Sequence, residues 1–101
     1  MKEQKIESEK LVERRLVEYM KEKKCLCIKL LSNHMQGVPD RLCLFPNGVV
    51  VFVELKTTGR KPRPIQLYVH KILTNLGFRV FVIDTVKDAI DMVDDILNLP
   101  F

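Results

Sequence analysis

The strongest constraint on this chain lies between Asp40 and Lys56, where two apolar runs flank Pro46-Asn47-Gly48. A proline and a glycine two positions apart between β-branched and aromatic residues predict a hairpin with a three-residue loop. Pro46 has the fixed φ wanted at the first corner of a type I turn, Asn47 suits the second, and Gly48 takes the left-handed position. Phe45 then faces Val49, Leu42 faces Phe52 and Asp40 faces Glu54, with opposed Cβ atoms roughly 4.5 to 5.5 Å apart. Lys56 lies two residues beyond Glu54, so Asp40, Glu54 and Lys56 leave one face at one end of the hairpin. A two-residue turn at Asn47-Gly48 competes; it would pair Asp40 with Leu55 and put the two carboxylates on opposite faces.

Both hairpin faces are largely apolar, with Leu42, Leu44, Val50 and Phe52 on one and Cys43, Phe45, Val49, Val51 and Val53 on the other. That pattern predicts a central position in a sheet covered on both sides. Residues 6 to 24 carry Ile6, Val12, Leu16, Tyr19 and Met20 near helical spacing, and Ser8 is a candidate cap that would start the helix slightly later. Residues 25 to 31 form a short β-friendly run. Ile65 to Leu76 reads as a helix with Ile65, Val69, Ile72, Leu73 and Leu76 inward and Gly77 at its end. Residues 78 to 83 form another strand, and a last helix starts at Asp84 or Thr85 and runs to about Leu99. The predicted order is αβββαβα, a mixed sheet flanked by helices.

The length of 101 residues predicts a single domain, spanning residues 1–101. Composition is that of an ordinary globular chain, 47% hydrophobic and 30% charged, which argues against a disordered, collagen-like or disulfide-framework protein. No apolar run approaches the roughly 20 residues that span a bilayer, and the first ten residues lack a secretory apolar stretch, so the expected location is the cytoplasm. Cys25, Cys27 and Cys43 are odd in number, lack zinc-site spacing and read as buried free thiols. The net charge of +4 is unevenly distributed: residues 1 to 83 hold 16 basic and 8 acidic groups, whereas the remainder holds one lysine and five aspartates. Between Lys56 and Lys71 there are five basic residues and no acid, a stripe suited to a polyanion as well as to a solvated loop.

Two carboxylates at the end of an apolar sheet repel each other and lose hydration unless a cation joins them. Hard oxygen ligands in that number suit Mg²⁺ or Mn²⁺, which bind through one or two carboxylates, waters and substrate phosphate oxygens. Lys56 adds a mobile positive charge beside them.

Gly37-Val38-Pro39-Asp40, Glu54-Leu55-Lys56 and Gln66 together resemble the PD-(D/E)xK nuclease superfamily. More narrowly, residues 37–42, 49–66 and 77–84 resemble the VRR-NUC family in its small standalone form of the kind found in bacteriophages. The likeness runs from about Glu9 to Ile83, and the 14-residue spacing of Asp40 and Glu54 around a strand–turn–strand pattern makes it specific. It implies a restriction-endonuclease-like core. It implies that Asp40 and Glu54 bind Mg²⁺ or Mn²⁺ with the Leu55 carbonyl, that Lys56 is catalytic and that Gln66 lies beside the site. Glu13 corresponds to a helix acid that completes the site in related junction resolvases, with Glu9 one turn earlier as the second candidate. Ser32 resembles a serine near the scissile phosphate. The segment Phe78-Arg79-Val80 departs from the Val-Arg-Arg that names the family.

The implied activity is metal-dependent hydrolysis of DNA phosphodiesters by a homodimer resembling Holliday-junction resolvases, with Arg60, Lys61, Arg63 and Lys71 clamping phosphates. A structure-nonspecific nicking endonuclease and a non-catalytic branched-DNA-binding module are the competing functions. His34 reads as a loop or phosphate-contact residue, and His70 as a polar-face helix residue. Asp88, Asp91 and Asp95 read as a solvated stripe opposite Val86, Ile90, Val93 and Leu97.

Overall fold

A computed structural model describes residues 5–31 and 33–100. The elements follow in the predicted order: α1 (Glu9–Glu22), β1 (Leu26–Lys29), β2 (Arg41–Leu44), β3 (Val50–Leu55), α2 (Pro64–Asn75), β4 (Arg79–Ile83) and α3 (Val86–Leu97). The four strands lie in the order β1-β2-β3-β4, antiparallel except for the last pair, which is parallel. A parallel pair needs a crossover, and α2 supplies it.

The three-residue hairpin holds. Arg41 pairs with Val53, Leu42 with Phe52, Cys43 with Val51 and Leu44 with Val50, and the Phe45 N–H donates to the Val49 carbonyl at 2.9 Å. Carried one residue further, this register sets Asp40 opposite Glu54. The loop itself differs from expectation, because Asn47 adopts φ 64° and ψ 26° and joins Gly48 in the left-handed region. Asparagine tolerates that region because its short polar side chain bonds locally, so two successive residues reverse the chain instead of one.

Ser8 caps α1, its Oγ accepting the Leu11 N–H at 3.1 Å, which explains why the helix starts at Glu9 and not at Ile6. Thr85 caps α3 in the same way through the Asp88 N–H. The buried stripe of α1 is Val12, Leu16 and Met20, and that of α3 is Ala89, Met92, Val93 and Ile96. The α3 stripe is rotated from the expected one; only Val93 is common to both. Asp94 is consequently drawn inward, where it accepts the Tyr19 hydroxyl proton at 2.6 Å.

These two helices cover one sheet face, sealing Cys43, Val51, Val53 and Leu55 into the core. The opposite face is covered only in part. Leu26, Phe78 and Val82 are 56%, 41% and 43% exposed there, and Ile65 of α2 and Leu76 at its C-terminal cap are also exposed. The expectation of equal cover on both faces is therefore corrected: α2 is one helix lying over a four-stranded sheet, and alternation of apolar residues reports strand geometry without reporting what covers each face. Cys43 is buried and faces Cys27 across β1 and β2 at 3.8 Å between sulfurs, while Cys25 and Cys27 are half-buried; all three are free thiols. Among the described residues no helix is long and apolar enough to cross a membrane.

Candidate active site

The site forms at the C-terminal end of β3, the strand that carries both hydrophobic core and charge. Its alternation puts Val51, Val53 and Leu55 against α1 and α3 and turns Glu54 to the α2 side. Asp40 arrives from the turn before β2. Two features fix that turn. Gly37 has φ +85°, and a Cβ there would lie 2.5 Å from the Ile65 carbonyl oxygen, so the backbone packs against the first turn of α2 as only glycine allows. Pro39 is fully buried, and the Asp40 carbonyl accepts the Leu30 N–H at 2.9 Å. The Asp40 Oδ2 in turn accepts the Leu55 N–H at 2.8 Å, which brings its carboxylate to the end of β3.

Glu54 is 1% exposed and has four polar neighbours. Its Oε2 accepts a hydrogen bond from Gln66 Nε2 at 2.9 Å and lies 3.7 Å from Lys56 Nζ. Its Oε1 faces His70 Nε2 at 3.5 Å, and neither of those atoms makes a hydrogen bond. Desolvation pushes the Glu54 pKa up to about 7, the adjacent Asp40 carboxyl adds to the rise by charge and by hydrogen bonding, and Lys56 opposes it. Burial and the Lys56 charge move His70 in the opposite direction, favouring the neutral imidazole.

Gln66 is oriented by the start of its own helix. Its Oε1 accepts the Arg63 N–H at 2.8 Å, the reaching-back half of a capping box, and this leaves the Nε2 end aimed at Glu54. The expectation that Gln66 lies beside the carboxylates agrees with this geometry. The reading of His70 as a solvent-facing residue does not: it is 8% exposed, because a spacing of four from Gln66 puts both residues on the buried side of α2 with Val69. Helical periodicity around Val69 carries that signal.

The two candidate acids of α1 part company. Glu13 is engaged by Arg41, whose Nε donates to Oε2 at 3.0 Å. Glu9 stands at the first position of α1, its N–H donating to Thr57 Oγ1 at 3.1 Å. Partial burial, followed by the charge of Asp40, raises the Glu9 pKa, and Lys56 lowers it. Glu9 also adds to the rise at Glu54, so it shares the field of the site.

Several residues that brace the site escape sequence reasoning. The Thr58 N–H donates to the Glu7 carbonyl at 3.0 Å, and the Thr58 Oγ1 accepts the Glu7 N–H at 2.9 Å. The Thr58 hydroxyl donates to the Asp84 carbonyl at 2.7 Å, the Gly59 N–H to Asp84 Oδ2 at 2.8 Å, and the Val86 N–H to Glu7 Oε1 at 2.9 Å. The loop after Lys56 is thus tied to the entry of α1 and the entry of α3. A Thr-Thr-Gly sequence directly after the Glu-x-Lys segment is the only cue for this brace. Beyond it, Arg60, Lys61, Arg63 and Lys71 are exposed, and none ion-pairs with another described residue. Ser32 lies outside the described residues.

No protein-family model matches the sequence. A curated relative, "Putative nuclease p44" of Acyrthosiphon pisum secondary endosymbiont phage 1, is 42% identical over 74 residues, 73% of this chain and 80% of the relative. A solved structure described as a VRR_NUC domain superposes on 87% of this chain and 97% of its own length with a TM-score of 0.78 and 30% identity. The chain belongs to the VRR-NUC family. Its mixed four-stranded sheet with flanking helices is the VRR-NUC fold.

The VRR-NUC site fits a hard divalent cation on its own chemistry. A buried carboxylate oxygen lacks a hydrogen-bond donor, and a second carboxyl beside it penalises the ionised pair, which is the condition a cation relieves. Among the described residues no three His, Cys, Asp or Glu side chains converge on one point. Two carboxylates are nevertheless a donor set that Mg²⁺ accepts, because it binds through one or two of them and retains several waters.

Proposed function

We propose that this VRR-NUC chain is a Mg²⁺- or Mn²⁺-dependent endodeoxyribonuclease that cleaves branched DNA as a homodimer in the cytoplasm, that of the host where the gene is phage-borne. The observation that carries the reading is the pairing of a buried Glu54 with Asp40 and Lys56 at one strand end. Such a pair of carboxyls is costly for folding and serves no packing purpose. Asp40, Glu54 and the Leu55 carbonyl would hold the cation, with Glu9 as the helix acid and Glu13 retained by Arg41.

When bound, such an ion supplies a Lewis acid for the scissile phosphate and lowers the pKa of its waters. The protein's own residues do the rest. Lys56, anchored near Glu54 and 13% exposed at its side chain, offsets the charge that builds on phosphorus and orients the attacking water. Gln66 holds one oxygen of the Glu54 carboxylate through its side-chain amide. Arg60, Lys61, Arg63 and Lys71 supply phosphate contacts that align the backbone, the role exposed basic groups have in nucleic-acid recognition. Hydrolysis that leaves a 5′-phosphate follows from attack opposite the 3′-oxygen. A two-fold dimer offers two such sites, as paired cuts at a four-way junction require. The phage origin of the curated relative supports the phage setting.

The test is incubation of purified protein with labelled four-way junction, flap and linear duplex in Mn²⁺, Mg²⁺ or EDTA, with Lys56→Ala and Asp40→Asn alongside. Paired cuts near the junction are expected with metal, none in EDTA, and a loss of at least about a hundredfold in either variant. Sedimentation equilibrium under assay conditions reads the oligomeric state. Variants that cut as fast as the parent would overturn the assignment of these residues.

A further inference from the structure

His70 is used by nothing in the catalytic scheme above, yet it faces the unsatisfied oxygen of that scheme's main carboxylate. Its Nε2 and the Glu54 Oε1 are both buried, both without a hydrogen bond, and 3.5 Å apart. Leaving a donor and an acceptor unsatisfied so close together is costly, and a small rotation of either side chain brings them within hydrogen-bond distance. Lys56 cannot substitute, since it approaches the other oxygen, and Gln66 is committed to that same oxygen.

We propose that His70 is a positioning residue for the Glu54 carboxylate: its Nε2–H holds Oε1 while the Gln66 amide holds Oε2, so that successive turns of α2 grip both oxygens. The terminal torsion of a glutamate is broad, and one donor leaves the carboxylate plane free to swing about the retained bond. Two donors spaced four residues apart on a rigid helix fix that plane. The remaining lone pairs then point away from α2, toward Asp40. Groups that orient a metal-binding carboxylate in this way usually matter for metal affinity by ten- to a hundredfold. This inference rests on the reading of Glu54 as a metal ligand.

The experiment is calorimetric titration of Mn²⁺ into the metal-free full chain for the parent, His70→Leu, His70→Gln and Asp40→Asn, with thermal melting of each without metal. His70→Leu is expected to fold and to bind Mn²⁺ about ten- to a hundredfold more weakly. His70→Gln, whose amide reaches the position of Nε2, should recover most of that loss. If His70→Leu matches the parent while Asp40→Asn has lost binding, or if Gln binds no better than Leu, the role of His70 is overturned and the metal site stands. If Asp40→Asn also binds like the parent, the metal site itself is wrong. Should His70→Leu fail to fold, His70→Phe, closer in volume to histidine, is judged by the same titration.

Discussion

The two faces of the sheet are built to different standards. The face under α1 and α3 is dry and closely packed, with Val12, Leu16, Met20, Cys43, Val51 and Val53 wholly inaccessible. The face under α2 leaves Leu26, Ile28 and Val82 partly in water and accepts Glu54, Gln66 and His70 among its buried groups. A chain of this size has few residues with which to build a core, and this one concentrates them on one side. Polar groups that are costly to bury gather on the other, where a single helix supplies a hydrogen-bond partner.

That division predicts unequal costs. Leu16→Ala, which opens a cavity between α1 and the sheet, should destabilise by about 2–5 kcal/mol in urea denaturation, against about 0.5 kcal/mol or less for Leu26→Ala on the open face. Equal losses would mean that the second face is packed as tightly as the first.

A smaller effect sharpens the comparison through pH. The folded-state pKa of Glu54, about 7, lies above its ordinary value of 4.5, so the folded protein holds this proton more tightly than the unfolded chain. The resulting stabilisation is fully present below about pH 4.5 and is lost as pH rises through about 7, worth up to about 3 kcal/mol. Metal-free Glu54→Gln should therefore be more stable than the parent at pH 8 and lose this pH dependence. Added Mn²⁺ should stabilise the parent at pH 8 and leave the variant unmoved. A parent that melts identically at pH 5 and pH 8 without metal would remove the basis for a strained carboxylate.

The smallest effect belongs to the exposed basic loop. Lys61→Ala should lower DNA affinity modestly and reduce the slope of log K against log salt by about 0.9, with the melting temperature unchanged. A change in stability without a change in slope would move Lys61 from the substrate surface to the fold.

The strand register was readable only to within one residue, because Pro46 favours the three-residue loop that sets Asp40 against Glu54 while Asn47-Gly48 also suits a two-residue turn; the pairing of β2 with β3 decides for the former. Gln66 was readable only through the resemblance to the VRR-NUC family, in which a glutamine lies beside the site. Other positions depended on tertiary context. Glu9 and Glu13 share a helix stripe, and only Arg41, brought in by β2, separates them. His70 reads as polar by residue type and buried by spacing, and the carboxylate that decides between the two lies sixteen residues away. Which sheet face stays open is likewise invisible to alternation, because Leu42 and Cys43 are apolar neighbours with opposite destinations.

The side-chain amide of Gln66 has one end in the winding of α2 and the other on Glu54. Fraying of the first turn of that helix would therefore release the Glu54 carboxylate from its amide donor, so the order of this strand end depends on the winding of a separate helix.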